Sequence, residues 1–360
     1  MYKRQIDNSS ETMQWEELAN MSFTVKIDEN LGFNIPFPTS GETPANIMVD
    51  WGDGSALTIV NKGTTLSDGD GFNYEYAETG EYAIAIYSDQ VDETEQQIPK
   101  INFWNNRNNN NNHQKLVLIN TPFLNTETED FSYCFYYCSN LTSIPTGLFD
   151  KNINVTNFNY CFQSCEKISN IPTGLFDKNI EVTSFESCFE NCYNLTSIPT
   201  GLFDKNINVT SFYCCFQDCS TLESIPERLF DKNIEVEAFN ACFSHCTNLK
   251  EIPKGLFDKN KKATNFMRCF SFCSNVTLNK NIFSNEGNTD RFSGMNMLFN
   301  YCFQNAGEQN ENPGEAPELW KYERGSSTWN TTGCFYNAKA TNLTSDNKYN
   351  TEWGTPLNWN

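Results

Sequence analysis

The residues of this 360-residue chain with the most chemistry to offer are its 15 cysteines. They fall mainly into Cys-Phe-x-x-Cys pairs that begin at Cys134, Cys161, Cys188, Cys215, Cys242 and Cys269. Paired thiols can hold zinc or an iron–sulfur cluster, close a disulfide, or attack an electrophile. A metal site needs four converging ligands, often from Cys-x-x-Cys knuckles, whereas this spacing is one residue longer and recurs along the chain. An odd total cannot pair fully within one chain, and side chains four apart on a helix lie too far apart for a bridge. A nucleophile at Cys214 or Cys215 would need a neighbouring base, and the sequence suggests no partner for either histidine, His113 or His245. The pairs are therefore read as small apolar filler. In the last two copies, Cys302-Phe303 and Cys334-Phe335, Ala306 and Ala338 stand at the second Cys position. Cys214 lies outside the pattern and is expected to be exposed.

No Gly-x-Ser-x-Gly, His-Glu-x-x-His, P-loop or dinucleotide fingerprint occurs, so neither enzymatic activity nor a cofactor is expected. A glycosidase would need two carboxylates placed in a cleft, which a regular repeat does not supply by default. Asp50 and Asp53 offer clustered carboxylates of the kind calcium uses. Asp53-Gly54 is equally a plain turn, and the expectation is no metal.

The elements that carry these residues repeat. Each Cys pair follows the last by 27 residues, and other markers keep the same step. Leu-Phe-Asp-Lys-Asn begins at Leu148, Leu175, Leu202, Leu229 and Leu256, and Ile-Pro begins at Ile144, Ile171, Ile198, Ile225 and Ile252. A Phe precedes each first Cys by three residues, from Phe131 to Phe266. Such self-similarity predicts a solenoid, whose units bury a continuous core only by stacking. Within one unit, Phe185, Cys188, Phe189 and Cys192 sit at i, i+3, i+4 and i+7, which predicts a short helix with one apolar face. Leu195–Ile198 reads as a brief strand stopped by Pro199. Leu202 and Phe203 return to the core, Asp204, Lys205 and Asn206 form a polar corner, and Val209–Phe212 is extended again.

The string Phe-Asp-x-x-x-x-Val-Thr-x-Phe-x-x-Cys-Phe-x-x-Cys-x-x-Leu-x-x-Ile resembles the BspA-type leucine-rich repeats of bacterial surface proteins. The chain departs from that pattern with Cys at the first position of the pair and with its Ile-Pro-x-Gly-Leu-Phe segment, both matters of packing. The resemblance covers about residues 128–283 and, more loosely, the region to 338. It implies a right-handed solenoid with short strands on one face, surface display, binding of proteins or glycans, and no enzyme activity.

Residues 21–98 lack the period. Phe23–Ile27, Asn46–Val49 and Tyr82–Ile86 alternate as strands between turns at Gly52-Asp53-Gly54 and Asp68-Gly69-Asp70-Gly71, which suggests a β-sandwich. Val49-Asp50-Trp51-Gly52-Asp53-Gly54-Ser55, followed by Tyr74-x-Tyr76-Ala77-x-x-Gly80-x-Tyr82-x-Ile84, is similar to PKD-type immunoglobulin-like domains. In that family the module is a spacer or binding accessory on extracellular proteins. The organisation expected is an extension over 1–20, the PKD-like sandwich over 21–100 and an Asn-rich linker with an N-terminal cap over 101–127. The repeats follow over 128–283, then irregular repeats and a cap over 284–360. Asn105–Asn112 reads as flexible linker, Lys115–Ile119 as a capping strand, and Trp320, Trp329, Trp353 and Trp359 belong to the C-terminal cap.

Charge narrows the partners. With 25 Lys and Arg against 45 Asp and Glu, the net charge is −20. That balance, with no basic stripe, disfavours nucleic acid and anionic membranes, and no apolar run is long enough to span a bilayer. Binding is the better expectation, because the repeats differ at positions read as outward. These are Ser132-Tyr133, Asn159-Tyr160, Glu186-Ser187, Tyr213-Cys214, Asn240-Ala241 and Met267-Arg268, with Tyr136-Tyr137, Gln163-Ser164, Glu190-Asn191, Gln217-Asp218, Ser244-His245 and Ser271-Phe272. Tyr133, Tyr136, Tyr137, Tyr160, Tyr193 and Tyr213 are the candidate ligand-binding residues, since exposed Tyr offers area and a polar tip. The strand positions Thr142-Ser143, Ser169-Asn170, Thr196-Ser197, Glu223-Ser224 and Lys250-Glu251 form a competing face. The expected function is adhesion or recognition at a bacterial surface, with a protein or glycan ligand. The alternative is a phage tail or fibre component, favoured by the lack of a visible signal peptide and the odd thiol count.

Overall fold

The computed structural model describes residues 21–36, 41–43, 46–66, 71–88, 101–104, 112–123, 128–283, 289–322 and 326–343. The expected N-terminal extension, the Asp68-Gly69-Asp70 turn, Asn105–Asn111, Trp353 and Trp359 lie outside them. The described chain is β-rich, with almost no helix and no closed barrel.

The N-terminal part holds β1 (Met21–Ile27), β2 (Gly32–Pro36), β3 (Gly41–Glu42), β4 (Ile47–Asp50), β5 (Thr58–Val60), β6 (Thr65–Leu66), β7 (Gly71–Glu75) and β8 (Gly80–Ser88). The chain then forms one helical turn, α1 (Asn112–Lys115), and β9 (Leu116–Ile119). A five-stranded antiparallel sheet runs in the order β5-β4-β8-β1-β9, while β2–β7 and β3–β6 are separate pairs. Alternation in β1 places Phe23, Val25 and Ile27 inside, against Phe33, Ile35, Ile84 and Ile86. The Trp-Gly-Asp-Gly turn and the Tyr-x-Tyr segment meet there. Trp51 stacks on Tyr74 at 4.6 Å between ring centroids, and the buried Tyr76 hydroxyl donates to Trp51 O at 3.0 Å. Gly52 has φ +79, and a Cβ there would lie 2.5 Å from Ala83 O, so only Gly fits.

From residue 128 the chain lays down one 27-residue unit beside the next. Three columns of phenylalanines run through these units. Phe131 meets Phe158 at 6.0 Å, Phe135 meets Phe162 at 5.1 Å and Phe149 meets Phe176 at 6.1 Å, each pair stacked within 23° of parallel. The predicted strands shrink to single parallel bridges, such as Asn170↔Ser197 and Ser184↔Ser211.

The predicted helix over each Cys pair is not formed; the segment is a ribbon of consecutive turns. Tyr133, Phe135 and Tyr137 donate their N–H groups to Asn159 O, Cys161 O and Gln163 O in the next unit, whereas Cys134, Tyr136 and Cys138 donate back three residues. Tyr133 and Tyr137 take φ +57 and +58, which the third position of a type II turn requires. A helix would consume every N–H internally. A stacked array instead sends alternate ones sideways, and the same burial at i, i+3, i+4 and i+7 results.

All 15 cysteines are free and buried, Cys214 included, which corrects the expectation that it is exposed. The second thiol of each pair from Cys165 to Cys273 also donates between units, as from Cys165 Sγ to Phe135 O at 3.2 Å. Asn206, expected at a polar corner, is fully buried too. Its Nδ2 donates to Asn179 O at 2.8 Å and Phe176 O at 3.1 Å. Asn179, Asn233 and Asn260 repeat that arrangement. At the end of this column the buried Arg291 guanidinium donates to Phe257 O at 2.5 Å.

The ends are closed by aromatic substitutes. Phe103 stacks on Phe135 at 5.6 Å and Phe123 on Phe149 at 6.0 Å, so these two rings cap the first unit. β9 pairs with β1 while Val117 O accepts the Thr142 N–H, tying the five-stranded sheet to that unit. Asn112, read as linker, is buried and bonded to Asn34 O. After Phe283 the columns continue through Phe299, Phe303 and Phe335, and β10 (Met297–Leu298) pairs in parallel with β11 (Trp329–Asn330).

Candidate functional site

The turn ribbon positions the candidate tyrosines. Tyr133 lies parallel to Tyr160, 4.7 Å away and 5° out of plane, although the two are 27 residues apart. Tyr136 stands edge-on to Tyr133 at 5.4 Å and to Tyr137 at 4.5 Å. The structure adds two residues that the sequence did not single out as binding. Trp104 packs at 4.5 Å from Tyr136 and 5.7 Å from Tyr137, and His113 lies 5.2 Å from Trp104. Both flank the Asn run, where the period gives no guide; the only signal was an aromatic pair, Phe103-Trp104, beside a polar tract. Tyr193 and Tyr213 are exposed and make no ring contact with the cluster among the described residues. They stay within electrostatic reach, Tyr193 of Tyr137 and Tyr213 of Tyr160.

Carboxylates border the rings. Tyr160 OH donates to Glu186 Oε1 at 2.8 Å. Burial, together with that bond and the negative charge of Glu186, pushes the Tyr160 hydroxyl pKa far up. Burial also pushes Tyr136 up to about 12. Glu190 is raised by burial and by the like charges of Asp218 and Glu186. Burial lowers the His113 pKa below the usual histidine range.

Not every position expected outside is there. Ser164, Ser187, Cys214, Ala241, Ser244 and Ser271 are buried, because small side chains on a closely stacked ribbon are covered by neighbouring units. Only bulky side chains, such as Tyr133 and Tyr137, reach past that limit. The competing strand positions Thr142, Ser169, Asn170, Thr196, Ser197, Glu223, Ser224, Lys250 and Glu251 are exposed as expected, whereas Ser143 is half-buried. A third exposed set was not anticipated: Ile153, Ile180, Ile207 and Ile234, one per unit, are each more than half exposed.

Between the five-stranded sheet and the first units lies a cleft of about 330 Å³, whose lining residues Gln114 and Asn140 follow His113 and Tyr137 closely in sequence. Lys26, Asp28, Glu81, Gln114, Asn140 and Lys167 line it with Lys115 at its base. The Lys115 ammonium is held by Asn30 O at 2.5 Å, Gly32 O at 2.6 Å and Asp28 at 3.6 Å.

Asp50 and Asp53 serve the turn. Asp50 Oδ1 accepts the Gly52 N–H at 2.9 Å and Asp53 Oδ1 that of Ser55 at 3.0 Å, while Tyr74 OH donates to Asp53 Oδ2 at 2.5 Å. Burial acts to raise the Asp53 pKa, but these bonds outweigh it and hold the carboxyl below its ordinary range. Among the described residues no three His, Cys, Asp or Glu side chains are placed to hold a metal, and no helix is long and apolar enough to cross a membrane. No protein-family model, curated protein or solved structure matches the chain.

Proposed function

We propose that this chain is a non-enzymatic adhesion or recognition protein that binds a protein or glycan through the ribbon face bearing Tyr133, Tyr136, Tyr137 and Tyr160. In this reading the repeats form a BspA-like leucine-rich-repeat solenoid behind a PKD-like sandwich, displayed on a bacterial surface. The observation that carries it is the aromatic cluster: six partly exposed rings, Trp104 and His113 packed beside four tyrosines of the first two units, whose ribbon backbone sends alternate N–H groups from unit to unit. Rings fixed before binding lose little entropy when a ligand arrives.

A second reading, a phage tail or fibre component that docks on a bacterium, is favoured by the 15 buried free thiols. A protein assembled in a reducing cytosol keeps such thiols reduced. Labelled protein incubated with intact bacteria and, in parallel, with mucin and matrix proteins separates the two. Saturable binding to mucin or matrix alone is expected of the adhesin, and saturable binding to bacterial cells alone makes it the phage component. If neither surface binds it saturably, both readings fail.

A further inference from the structure

We infer that the ligand of this face is a neutral glycan, lying across Tyr137 with one end in the neighbouring cleft and its chain running along the stacking direction toward Glu186. This inference rests on the recognition reading above and narrows it to one ligand chemistry.

The composition of the face comes first. Ribbons 131–138, 158–165, 185–192 and 212–219 contain Tyr133, Tyr136, Tyr137, Tyr160 and Tyr213, three carboxylates (Glu186, Glu190, Asp218), and no Lys or Arg. Aromatic rings take the C–H face of a pyranose, while carboxylate and amide oxygens accept from its hydroxyls. Sialic and uronic acids would meet uncompensated negative charge at Glu186, Glu190 and Asp218. A protein ligand fits less well, because the centre of a protein–protein interface is depleted of charged residues. Here Glu186 sits in the middle, bonded to Tyr160 and within electrostatic reach of Tyr213.

Geometry narrows the pose. Tyr133 and Tyr160 have faces engaged with each other, which leaves their hydroxyls to solvent and to Glu186. Tyr137 is the most exposed of the six candidates at 42%; Trp104 stacks on it at 5.7 Å, and the part of the ring that Trp104 leaves uncovered is the surface offered to a sugar. Gln163 Oε1, in the neighbouring unit, is buried without a hydrogen-bond partner. Adjacent units repeat their hydrogen-bonding groups at the strand spacing of about 4.8 Å, comparable to one sugar residue of an extended glycan, so successive residues can meet successive units. The cleft adjoins this path. Gln114, next to His113, and Asn140, three residues after Tyr137, line it, and Asn140 Nδ2 donates to Gln114 O at 2.7 Å. Its lining is polar and of mixed charge, with Lys26 and Lys167 beside Asp28 and Glu81, Lys167 already bonded to Asn140 Oδ1 and the Lys115 ammonium to backbone carbonyls, which suits the hydroxyls of a terminal sugar without selecting an acidic one.

The repeats supply variants that this backbone already accepts. Gln304 and Asn305 occupy the positions of Tyr136 and Tyr137, and Asn305 has φ +56. The double variant Tyr136→Gln/Tyr137→Asn therefore removes the rings without straining the ribbon, and Glu186→Gln removes only a charge. The full chain would be titrated with neutral chito-, galacto- and manno-oligosaccharides, with sialyllactose and hyaluronan fragments, and with deglycosylated matrix protein. Circular dichroism would verify each fold. The expected result is binding to at least one neutral series that lengthening the oligosaccharide strengthens. The double variant should weaken it by at least about tenfold and Glu186→Gln by less. Ring-dependent binding confined to acidic glycans or to deglycosylated protein overturns the glycan assignment and leaves the recognition reading standing. Neutral-glycan binding indifferent to the double variant overturns this face as the site. The absence of binding to any probe, to bacterial cells or to mucin overturns both.

Discussion

Two columns of residues, each advancing one unit at a time, obey opposite rules. In the first, Asn152, Asn179, Asn206, Asn233 and Asn260 are the same residue in every unit and are buried. In the second, the matching position reads Tyr133, Tyr160, Ser187, Cys214, Ala241 and Arg268, yet all six share a φ between +52 and +59. The difference lies in which atoms hold the neighbouring unit. In the asparagine column the side chain does so, with Nδ2 donating to carbonyls of the preceding unit. In the tyrosine column the backbone does so, as from Tyr133 N to Asn159 O and from Ser187 N to Tyr213 O. A side chain relieved of structural duty is free to differ, which is why recognition is sought on the second column and stability on the first.

The largest way to break this comparison is Asn206→Leu. It removes donors from two buried carbonyls, each of which costs roughly 1–3 kcal/mol when left unsatisfied. Chemical denaturation should show a loss of about 2–4 kcal/mol. Ser187→Ala, to the residue found at 241, should cost less than about 1 kcal/mol. Equal losses at the two sites would erase the distinction.

The thiols test an intermediate case. Cys192 Sγ donates to Phe162 O at 3.3 Å, but Ala306 and Ala338 occupy the same position in the last units. Cys192→Ala should therefore cost about 1 kcal/mol, the worth of one hydrogen bond, far below the roughly 3–5 kcal/mol expected of Phe189→Ala. Burial raises the thiol pKa values, to about 12 at Cys214. Only the thiolate reacts, so the native protein should be nearly inert to a thiol reagent at pH 8 and fully reactive in denaturant. Fast labelling of one thiol in the native state would return Cys214 to the surface.

A smaller test uses the positions that need a left-handed backbone. Gly147, Gly174, Gly201 and Gly255 have φ between +69 and +75, and the fourth unit has Arg228 there at +62. A side chain in this region costs about 1–2 kcal/mol, partly offset because Gly gains more freedom on unfolding. Gly201→Ala should thus lose about 1 kcal/mol and Arg228→Gly gain about 0.5 kcal/mol, both read as shifts of the unfolding midpoint.

The repeat was legible because packing imposes one residue type per position: Phe189, Cys192 and their equivalents mark the period without any structure. The turn ribbon was not legible, since burial at Phe185, Cys188, Phe189 and Cys192 is the same whether the N–H groups bond inward or to a neighbour. Asn206 was misplaced for a related reason. Asn in Asp-Lys-Asn looks like surface, and nothing local reveals that carbonyls of the preceding unit converge on it. At the site, the tyrosines could be named because they stand at variable positions. Trp104 and His113 could not, because they come from outside the period and reach Tyr136 and Tyr137 only through the folding of the cap.

That last contact gives the smallest predicted effect. Burial lowers the His113 pKa from its ordinary value of 6.5, so the folded state favours neutral imidazole more than the unfolded chain does. The stability this contributes is fully present above pH 6.5 and is lost as pH falls through the lower, folded pKa, because the unfolded chain takes up the proton first. The cluster of Trp104, His113, Tyr136 and Tyr137 should therefore loosen in mildly acidic solution, while the asparagine column, which has no titrating group, does not. Proton NMR would follow the His113 ring, assigned by its disappearance in His113→Gln. Its midpoint should lie below 6.5, and the Trp104 indole signal should shift with the same midpoint. A His113 midpoint at or above 6.5, or an indole signal indifferent to it, would detach the histidine from the cluster and leave the face to the tyrosines and Trp104.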